Sequence, residues 1–195
     1  MRAASIVALL LLAAGCAHDG RTLRAPPPGV TAPPLPTTTA PGQKTAVVPL
    51  ALSSTAFEPG GPVPLDYTCD GAGISPPVAW GAVPEGTVEL ALTVTDTDAD
   101  GFVHWVLAHL DPGVQALAVG AVPDGAVEAK NGAGRAGWTG PCPPKGSGAH
   151  HYVFTLYALT AASGVTADMS GPDAIAAISQ VPGLTATLIG SYERV

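Results

Sequence analysis

The sequence predicts a mostly β domain built from antiparallel sheets, and three observations support this fold class. Glycine and proline are frequent, with 24 and 21 copies in 195 residues, so many positions are turns or rigid extended segments. Short runs of alternating apolar and polar residues recur between turn sequences such as PGGP, VPEG and NGAG. Only one segment has the pattern of a helix, which argues against a helical bundle.

Five segments have the pattern of strands, because apolar side chains recur at every second position. They are residues 47–52, 88–96, 102–110, 150–159 and 185–195. Both rows of segment 102–110 (FVHWVLAHL) are largely apolar, which is typical of a central strand covered on both faces. The predicted helix is residues 172–180 (PDAIAAISQ), with proline near its start and an acidic residue in its first turn.

The overall charge excludes one class of partner. The chain has 8 Lys and Arg against 15 Asp and Glu, which gives a formal net charge of -7 at pH 7. Recognition of a nucleic acid requires clustered basic side chains that neutralise phosphates. We therefore expect no nucleic-acid partner.

The N-terminus has the features of a bacterial lipoprotein signal. Arg2 precedes an apolar run of about a dozen residues, which is too short to span a bilayer and suits a signal peptide. The sequence LLAAGC resembles a lipobox, although Ala13 replaces the usual leucine. We predict that residues 1–15 are a signal peptide cleaved before a lipidated Cys16. The alternative is an ordinary secreted protein in which Cys16 is a spare thiol.

Residues 16–48 are predicted to be a disordered tether, and residues 49–195 the folded domain. The tether is rich in Pro, Thr, Ala and Gly, so it cannot bury enough apolar surface to offset its ordering entropy. These features predict a protein anchored to the cell membrane on its extracytoplasmic face. Without the lipid on Cys16, the protein would be secreted.

Alternation along segment 88–96 indicates where carboxylates enter the core-facing row of a strand. The core-facing row of this strand would continue through Asp96 and Asp98 if the strand were long enough. A buried carboxylate in that row needs partners, because burial without them costs several kcal/mol. In the alternative, the strand ends at Thr95 and residues 96–100 form a solvated turn.

The adjacent histidines of segment 150–159 point in opposite directions if that segment is a strand. His150 then shares a face with Tyr152, whereas His151 lies on the other face. The pair therefore cannot serve one metal or catalytic site. We expect His151 to tolerate substitution better than His150.

Two more histidines lie in the predicted central strand. The same alternation places His104 in a row with Val106 and Ala108, and places His109 in the opposite row. A single histidine among apolar neighbours is most often a hydrogen-bonded core residue. We therefore expect His104 or His109 to have such a structural role.

Seven short motifs occur in a fixed order along the chain. They are YTCDG (67–71), SPP (75–77), Trp80, DTDAD (96–100), HW (104–105), GPCPPKGSGAHHY (140–152) and GSYER (190–194). This ordered set resembles the phosphatidylethanolamine-binding protein family, and in particular its bacterial Raf kinase inhibitor-like members. The similarity extends from about residue 51 to the end of the chain.

The resemblance implies two antiparallel β-sheets packed together with a few short peripheral helices. It also implies a small anion pocket, for phosphate or a phospholipid headgroup, with Asp98 close by. The residues expected to line it are Asp96, His104, Gly140, Pro141, His150 and Tyr152. In this chain Thr97 and Asp100 replace two prolines of the family motif, which should loosen the turn that carries Asp98.

These residue types suit an anion. Imidazole and phenol groups donate hydrogen bonds, the amide of Gly140 is unobstructed by a side chain, and Pro141 stiffens the loop. A carboxylate beside an imidazole orients the ring rather than contacting the anion. The predicted function is therefore that of a membrane-anchored, non-catalytic binding protein that needs no cofactor.

Two other functions are weighed beside this one. A protein-interaction or inhibitor module could act on a kinase or another envelope partner, although nothing in the sequence identifies the partner. A hydrolase could use the Asp and His groups as acid and base. Against catalysis, no serine or cysteine lies in a recognisable nucleophile motif.

The cysteines leave one question open. With Cys16 lipidated outside the cytoplasm, Cys69 and Cys142 are the remaining pair and could form a disulfide. They could equally be a reduced pair in contact. We expect no metal site, because the sequence has no Cys-x-x-Cys or His-Glu-x-x-His spacing.

Overall fold

A computed structural model describes residues 49–195, and the fold is given for that part of the chain. The signal peptide, the lipidated Cys16 and the tether lie outside the described residues and stay predictions. Within residues 49–195, no helix has the length and hydropathy needed to cross a membrane.

Two antiparallel sheets make up the described part of the chain, which confirms the predicted fold class. The larger sheet has the strand order β6-β4-β3-β7-β8, and the smaller has the order β1-β2-β5. The strands are β1 (Leu52–Ser53), β2 (Val78–Trp80), β3 (Glu89–Asp96), β4 (Phe102–Leu110), β5 (Ala116–Leu117), β6 (Val127–Glu128), β7 (His150–Leu159) and β8 (Gly183–Tyr192). The helices are a 3-10 turn (Leu65–Tyr67) and α1 (Gly171–Gln180).

Four predicted strands are confirmed as β3, β4, β7 and β8, and the predicted helix is confirmed as α1. The prediction for 47–52 is wrong in extent, because of its described residues only Leu52 belongs to a strand. Helix α1 begins where the sequence predicts because Ser170 caps it. The Ser170 hydroxyl accepts a hydrogen bond from the Asp173 amide, and Pro172 lies in the first turn, where its missing amide is no loss.

The larger sheet is covered on both faces. On one face, Leu92, Trp105, Phe154 and other buried side chains pack into one core cluster with residues of the smaller sheet. On the other face, small residues such as Ala91 let α1 pack closely and bury Ile178. Burial of each large apolar side chain contributes roughly 1.5 to 3 kcal/mol, so both layers stabilise the central strands.

A β-bulge changes the face on which His104 lies. Val94 of β3 pairs with Trp105, but the next residue, Thr95, pairs with Val103, so His104 is the extra residue. Its ring lies 5.0 Å from that of Tyr152, on the side of the smaller sheet. The prediction that His104 shares a row with Val106 and Ala108 is therefore wrong, because the bulge interrupts the alternation.

A second register shift in β4 lies next to His109, whose side chain is exposed. Leu90 pairs with Leu110 and Leu92 pairs with Leu107, so β4 has one more residue than β3 over this interval. His109 has a φ of 59° and is exposed. Of the two histidines expected as core residues, only His104 is buried.

Candidate functional site

A cavity of about 190 Å³ opens where β3 ends and where β4 and β7 begin. The long loop between β6 and β7 forms its remaining wall. The lining residues are Asp96, Ala99, Phe102, His104, Thr139, Gly140, Cys142, Pro143, Pro144 and His150. Four of the seven predicted pocket residues, Asp96, His104, Gly140 and His150, are therefore brought together.

Asp96 is the last residue of β3 and is buried. Its Oδ1 accepts a hydrogen bond from the Asp98 amide at 2.9 Å, and its Oδ2 accepts one from His150 Nδ1 at 2.8 Å. The strand ends one residue beyond Thr95, and residues 97–100 form a turn. Asp96 thus continues the core-facing row of the strand, as the first alternative predicted. Asp98 lies in the turn that follows, as the second alternative predicted.

His150 is the first residue of β7 and pairs with Asp96. Because a carboxylate accepts, His150 Nδ1 carries the proton and Nε2 is left to accept when the ring is neutral. The hydroxyl of Ser147 lies 3.2 Å from that Nε2. Ser147 is absent from the predicted site, since no standard serine motif surrounds it and the contact depends on how the loop folds back.

His104 is buried beside the cavity, and its Nδ1 donates to the carbonyl of Thr139 at 2.5 Å. Burial lowers the pKa of His104, and the Thr139 carbonyl and the Asp96 charge only partly oppose this effect. The ring is therefore neutral near pH 7, with Nε2 as an acceptor. The Phe102 ring packs edge-on against it at 4.9 Å.

Tyr152 is fully buried beside His104 and does not line the cavity, contrary to prediction. It is paired with Asp96 across β3 and β7, so both side chains lie on one face. The Tyr152 hydroxyl has no hydrogen-bond partner among the described residues. Burial, and then the negative charge of Asp96, raises the pKa of Tyr152, so the phenol stays protonated.

The loop at Gly140 lines the cavity and contains backbone amides without a partner in the described part of the chain. The amides of Gly140 and Cys142 donate to no other described residue. A Cβ on Gly140 would lie 2.9 Å from the Tyr67 carbonyl oxygen, so a side chain there would push the loop away. Pro141 is buried and accepts from the Cys69 amide at 3.0 Å, but it does not line the cavity, contrary to prediction.

Cys69 and Cys142 form a disulfide bond in the structure. Of the two alternatives that the sequence left open, a bonded pair or a reduced pair, the structure contains the bonded pair. The two residues are 73 apart in the chain, with Cα atoms 5.4 Å apart. The disulfide ties the cavity loop to the segment after the 3-10 turn. On the same side, Arg194 and Tyr192 both contact the Asp70 carboxylate, with distances of 2.7 Å.

Asp98 and His151 form an exposed pair outside the cavity. Asp98 Oδ2 accepts from the amide and from Nδ1 of His151, at 2.7 and 2.9 Å. These hydrogen bonds lower the pKa of Asp98. The expectation that Asp98 contributes to the pocket is not matched by its position, because the turn after Asp96 directs it to His151.

Asn131 is a buried residue that supports the site and that the sequence analysis missed. Its amide nitrogen donates to the Gly137 carbonyl and to the Thr139 hydroxyl, at 2.8 and 2.7 Å. Its Oδ1 accepts from the Ala133 amide at 2.9 Å. Asn131 thereby holds Thr139, which in turn accepts from His104. Asn in a Gly-rich segment predicts a turn, and nothing in the sequence indicates this long-range role.

The described residues contain no group of three or more His, Cys, Asp or Glu side chains able to hold a metal ion. The residues that line the cavity supply one buried carboxylate, two imidazoles and free amides. Such an arrangement can bind an anion and can move a proton at His150.

Comparisons with known proteins place this chain in a family of binding proteins. The family model described as "Phosphatidylethanolamine-binding protein" matches residues 53–193. A solved structure of Escherichia coli YbcL, described as a member of the mammalian PEBP family, is 32% identical with a TM-score of 0.72. The match covers 76% of this chain and all of YbcL. This chain belongs to the phosphatidylethanolamine-binding protein family, as the motifs predicted.

Two relatives differ in how much of the chain they match. A Mycobacterium tuberculosis protein named "Putative lipoprotein LppC" is 40% identical over 189 residues, which cover 96% of this chain and 92% of that protein. A Methanothermobacter thermautotrophicus protein is 40% identical over 150 residues, which cover 73% of this chain and 98% of that protein. The similarity to the first relative therefore extends into the N-terminal segment, whereas the second matches only about three quarters of the chain.

Proposed function

We propose that the cavity binds a small anion, either phosphate or the phosphate group of a phospholipid headgroup. The observation that carries this proposal is the convergence of free amides and imidazoles on one cavity of about 190 Å³. The amides of Gly140 and Cys142, which both line the cavity, are unpaired among the described residues. Family membership supports a binding role.

The local charges also support an anion, although Asp96 is negative. Both oxygens of Asp96 already accept hydrogen bonds, one from the Asp98 amide and one from His150. These donors offset part of the repulsion between the carboxylate and a bound anion, and Asp96 serves to orient His150. Each imidazole that gains a proton becomes a cationic donor at its free nitrogen. An anion in the cavity would therefore favour protonation of His104 and His150.

Binding should accordingly strengthen as the pH falls. Calorimetric titration of the purified domain with inorganic phosphate should give tighter binding near pH 5.5 than near pH 8, because binding takes up a proton. Glycerophosphoethanolamine in place of phosphate distinguishes a headgroup from the free ion. An affinity that is flat or rises with pH over this range would contradict the proposal.

A matched pair of variants tests the location of the site. His150→Ala should abolish phosphate binding, because His150 lines the cavity, whereas His151→Ala should leave the affinity nearly unchanged. The reverse result would place the ligand on the other face of β7.

We also propose that the domain is anchored to the extracytoplasmic face of the membrane through Cys16. The similarity to a protein named a lipoprotein supports this proposal, because it extends over 96% of this chain. Expression of the full chain in a bacterial host with an alkyne fatty acid should label the protein, and Cys16→Ser should prevent labelling. Equal labelling of both forms would disprove the anchor.

A further inference from the structure

Ser147, His150 and Asp96 form a hydrogen-bonded chain that the binding function does not require. The Ser147 hydroxyl oxygen lies 3.2 Å from His150 Nε2, and His150 Nδ1 lies 2.8 Å from Asp96 Oδ2. Because the Asp96 carboxylate can only accept, the neutral ring has its lone pair on Nε2, facing the serine. A hydroxyl, a base and an acid that orients the base are the components of nucleophilic catalysis.

We propose that Ser147 is a nucleophile toward short-chain acyl esters, with His150 as its general base and Asp96 as a positioning residue. Ser147 is exposed, so a substrate can reach its hydroxyl. Other serines with hydrogen-bonded hydroxyls in residues 49–195 have different partners. Ser163 donates to Glu89, and Ser170 donates to Asp173, so neither contacts an imidazole.

The reaction balances with water as the only co-reactant. Ser147 Oγ forms a bond to the ester carbonyl carbon while its proton moves to His150 Nε2. The C–O bond to the leaving group then breaks, and the departing alkoxide takes that proton from His150. Water attacks the acyl-serine, again losing a proton to His150, and the proton returns to Ser147 Oγ as the acid leaves.

Two features near Ser147 fit this reaction. The amide of Gly148, the residue after the nucleophile, donates to no other described residue and is available to the oxyanion. His150 also lines the cavity, so an acyl group attached to Ser147 would lie beside this open space. At about 190 Å³, the cavity holds roughly six water-sized groups, which limits the acyl group to a short chain.

The proposal does not depend on the anion site, although the two share His150. The test uses the full chain and 4-nitrophenyl acetate, followed by intact mass and peptide mapping. We expect one acetyl group on the peptide that contains Ser147 and steady release of nitrophenol. Ser147→Ala and His150→Ala should each lower the rate by about 100-fold or more, as loss of a nucleophile or general base does.

Matched controls separate catalysis from background acylation. Ser53→Ala removes another exposed serine hydroxyl, which donates to the Ala79 carbonyl, and should leave the rate unchanged. Asp96→Asn should lower the rate and also change its pH profile, which a purely structural role would not do. A circular dichroism spectrum of each variant checks that it is folded.

Three results would overturn the proposal. The first is an acetyl group on Lys145 or elsewhere instead of Ser147. The second is acylation of Ser147 that persists in His150→Ala, which would mark an ordinary surface hydroxyl. The third is no release of nitrophenol above the rate of Ser147→Ala. Inhibition of the rate by phosphate would separately support an anion site that shares His150.

Discussion

The two ends of β3 each carry a buried carboxylate, and the two carboxylates have different partners. Glu89, the first residue, is 4% exposed. Its Oε1 accepts from the Ser163 hydroxyl at 2.6 Å and from the His109 amide at 3.2 Å. Its Oε2 accepts from the Ser163 amide at 3.0 Å. All these donors are backbone amides or a hydroxyl that does not titrate near neutral pH.

Asp96, the last residue of β3, is 3% exposed and has one partner of another kind. It accepts from the Asp98 amide, as Glu89 accepts from amides, but its second partner is the His150 imidazole. That imidazole lines a cavity and contacts Ser147 on its other side. Asp96 therefore orients a ring that a molecule in the cavity can contact.

The comparison indicates that burial of an acid does not by itself mark a functional site. A buried carboxylate whose partners are fixed donors stabilises the fold, because its charge is permanently satisfied. A buried carboxylate that orients an imidazole beside a cavity positions a side chain that a ligand can reach. The two ends of β3 should therefore respond differently to substitution.

The largest expected effect is loss of the disulfide at the cavity end. The double variant Cys69→Ser, Cys142→Ser should lower the free energy of unfolding by about 4 kcal/mol, because the bond closes a long loop in the unfolded chain. Urea denaturation measures this value. An unchanged unfolding midpoint would mean that the cavity loop needs no covalent support.

Glu89→Ala should have the next largest effect. It leaves the donors of Ser163 and His109 unpaired, and their combined loss should cost about 3 kcal/mol in unfolding free energy. The phosphate affinity of the folded protein should not change, because Glu89 lies at the opposite end of β3. A variant with normal stability and impaired binding would invalidate the distinction between the two ends.

A smaller effect should come from pH. Burial lowers the pKa of His104 in the folded protein from an ordinary value of 6.5, so the unfolded chain binds this proton first as the pH falls. Stability from His104 is thus complete above about pH 7 and is lost progressively below about pH 6.5. Denaturation at several pH values should show this loss, and His104→Gln should reduce it. An identical slope in both proteins would contradict the assignment.

The smallest effect should come from the exposed pair outside the cavity. His151→Ala should leave the unfolding midpoint within experimental error, because exposed ion pairs contribute little. The pKa of Asp98 should rise in this variant, but should stay below its ordinary value, because the amide of residue 151 still donates to it. NMR titration of the Asp98 carboxyl in the wild type and in the variant measures these two pKa values. A large loss of stability would mean that this pair supports the turn after Asp96.

Much of the sheet could be predicted from alternation, and the exceptions have physical causes. The rows of β3 and β7 follow period two without interruption, so the shared face of His150 and Tyr152 was predictable. In β4 a bulge inserts an extra residue at His104, and the composition of FVHWVLAHL does not indicate where the register shifts. The motif resemblance, rather than the alternation, identified His104 as a pocket residue.

The sequence by itself determined the antiparallel sheets, helix α1, family membership and four of the cavity-lining residues, because periodicity and motif order are local properties of the chain. The tertiary structure decided the Cys69–Cys142 bond, the contact of Ser147 with His150 and the displacement of Asp98 toward His151. These depend on how loops fold back on the sheet. The distance between two residues that are far apart in sequence, or that lie within one loop, is set by tertiary packing. The number of residues between them in the sequence does not determine it.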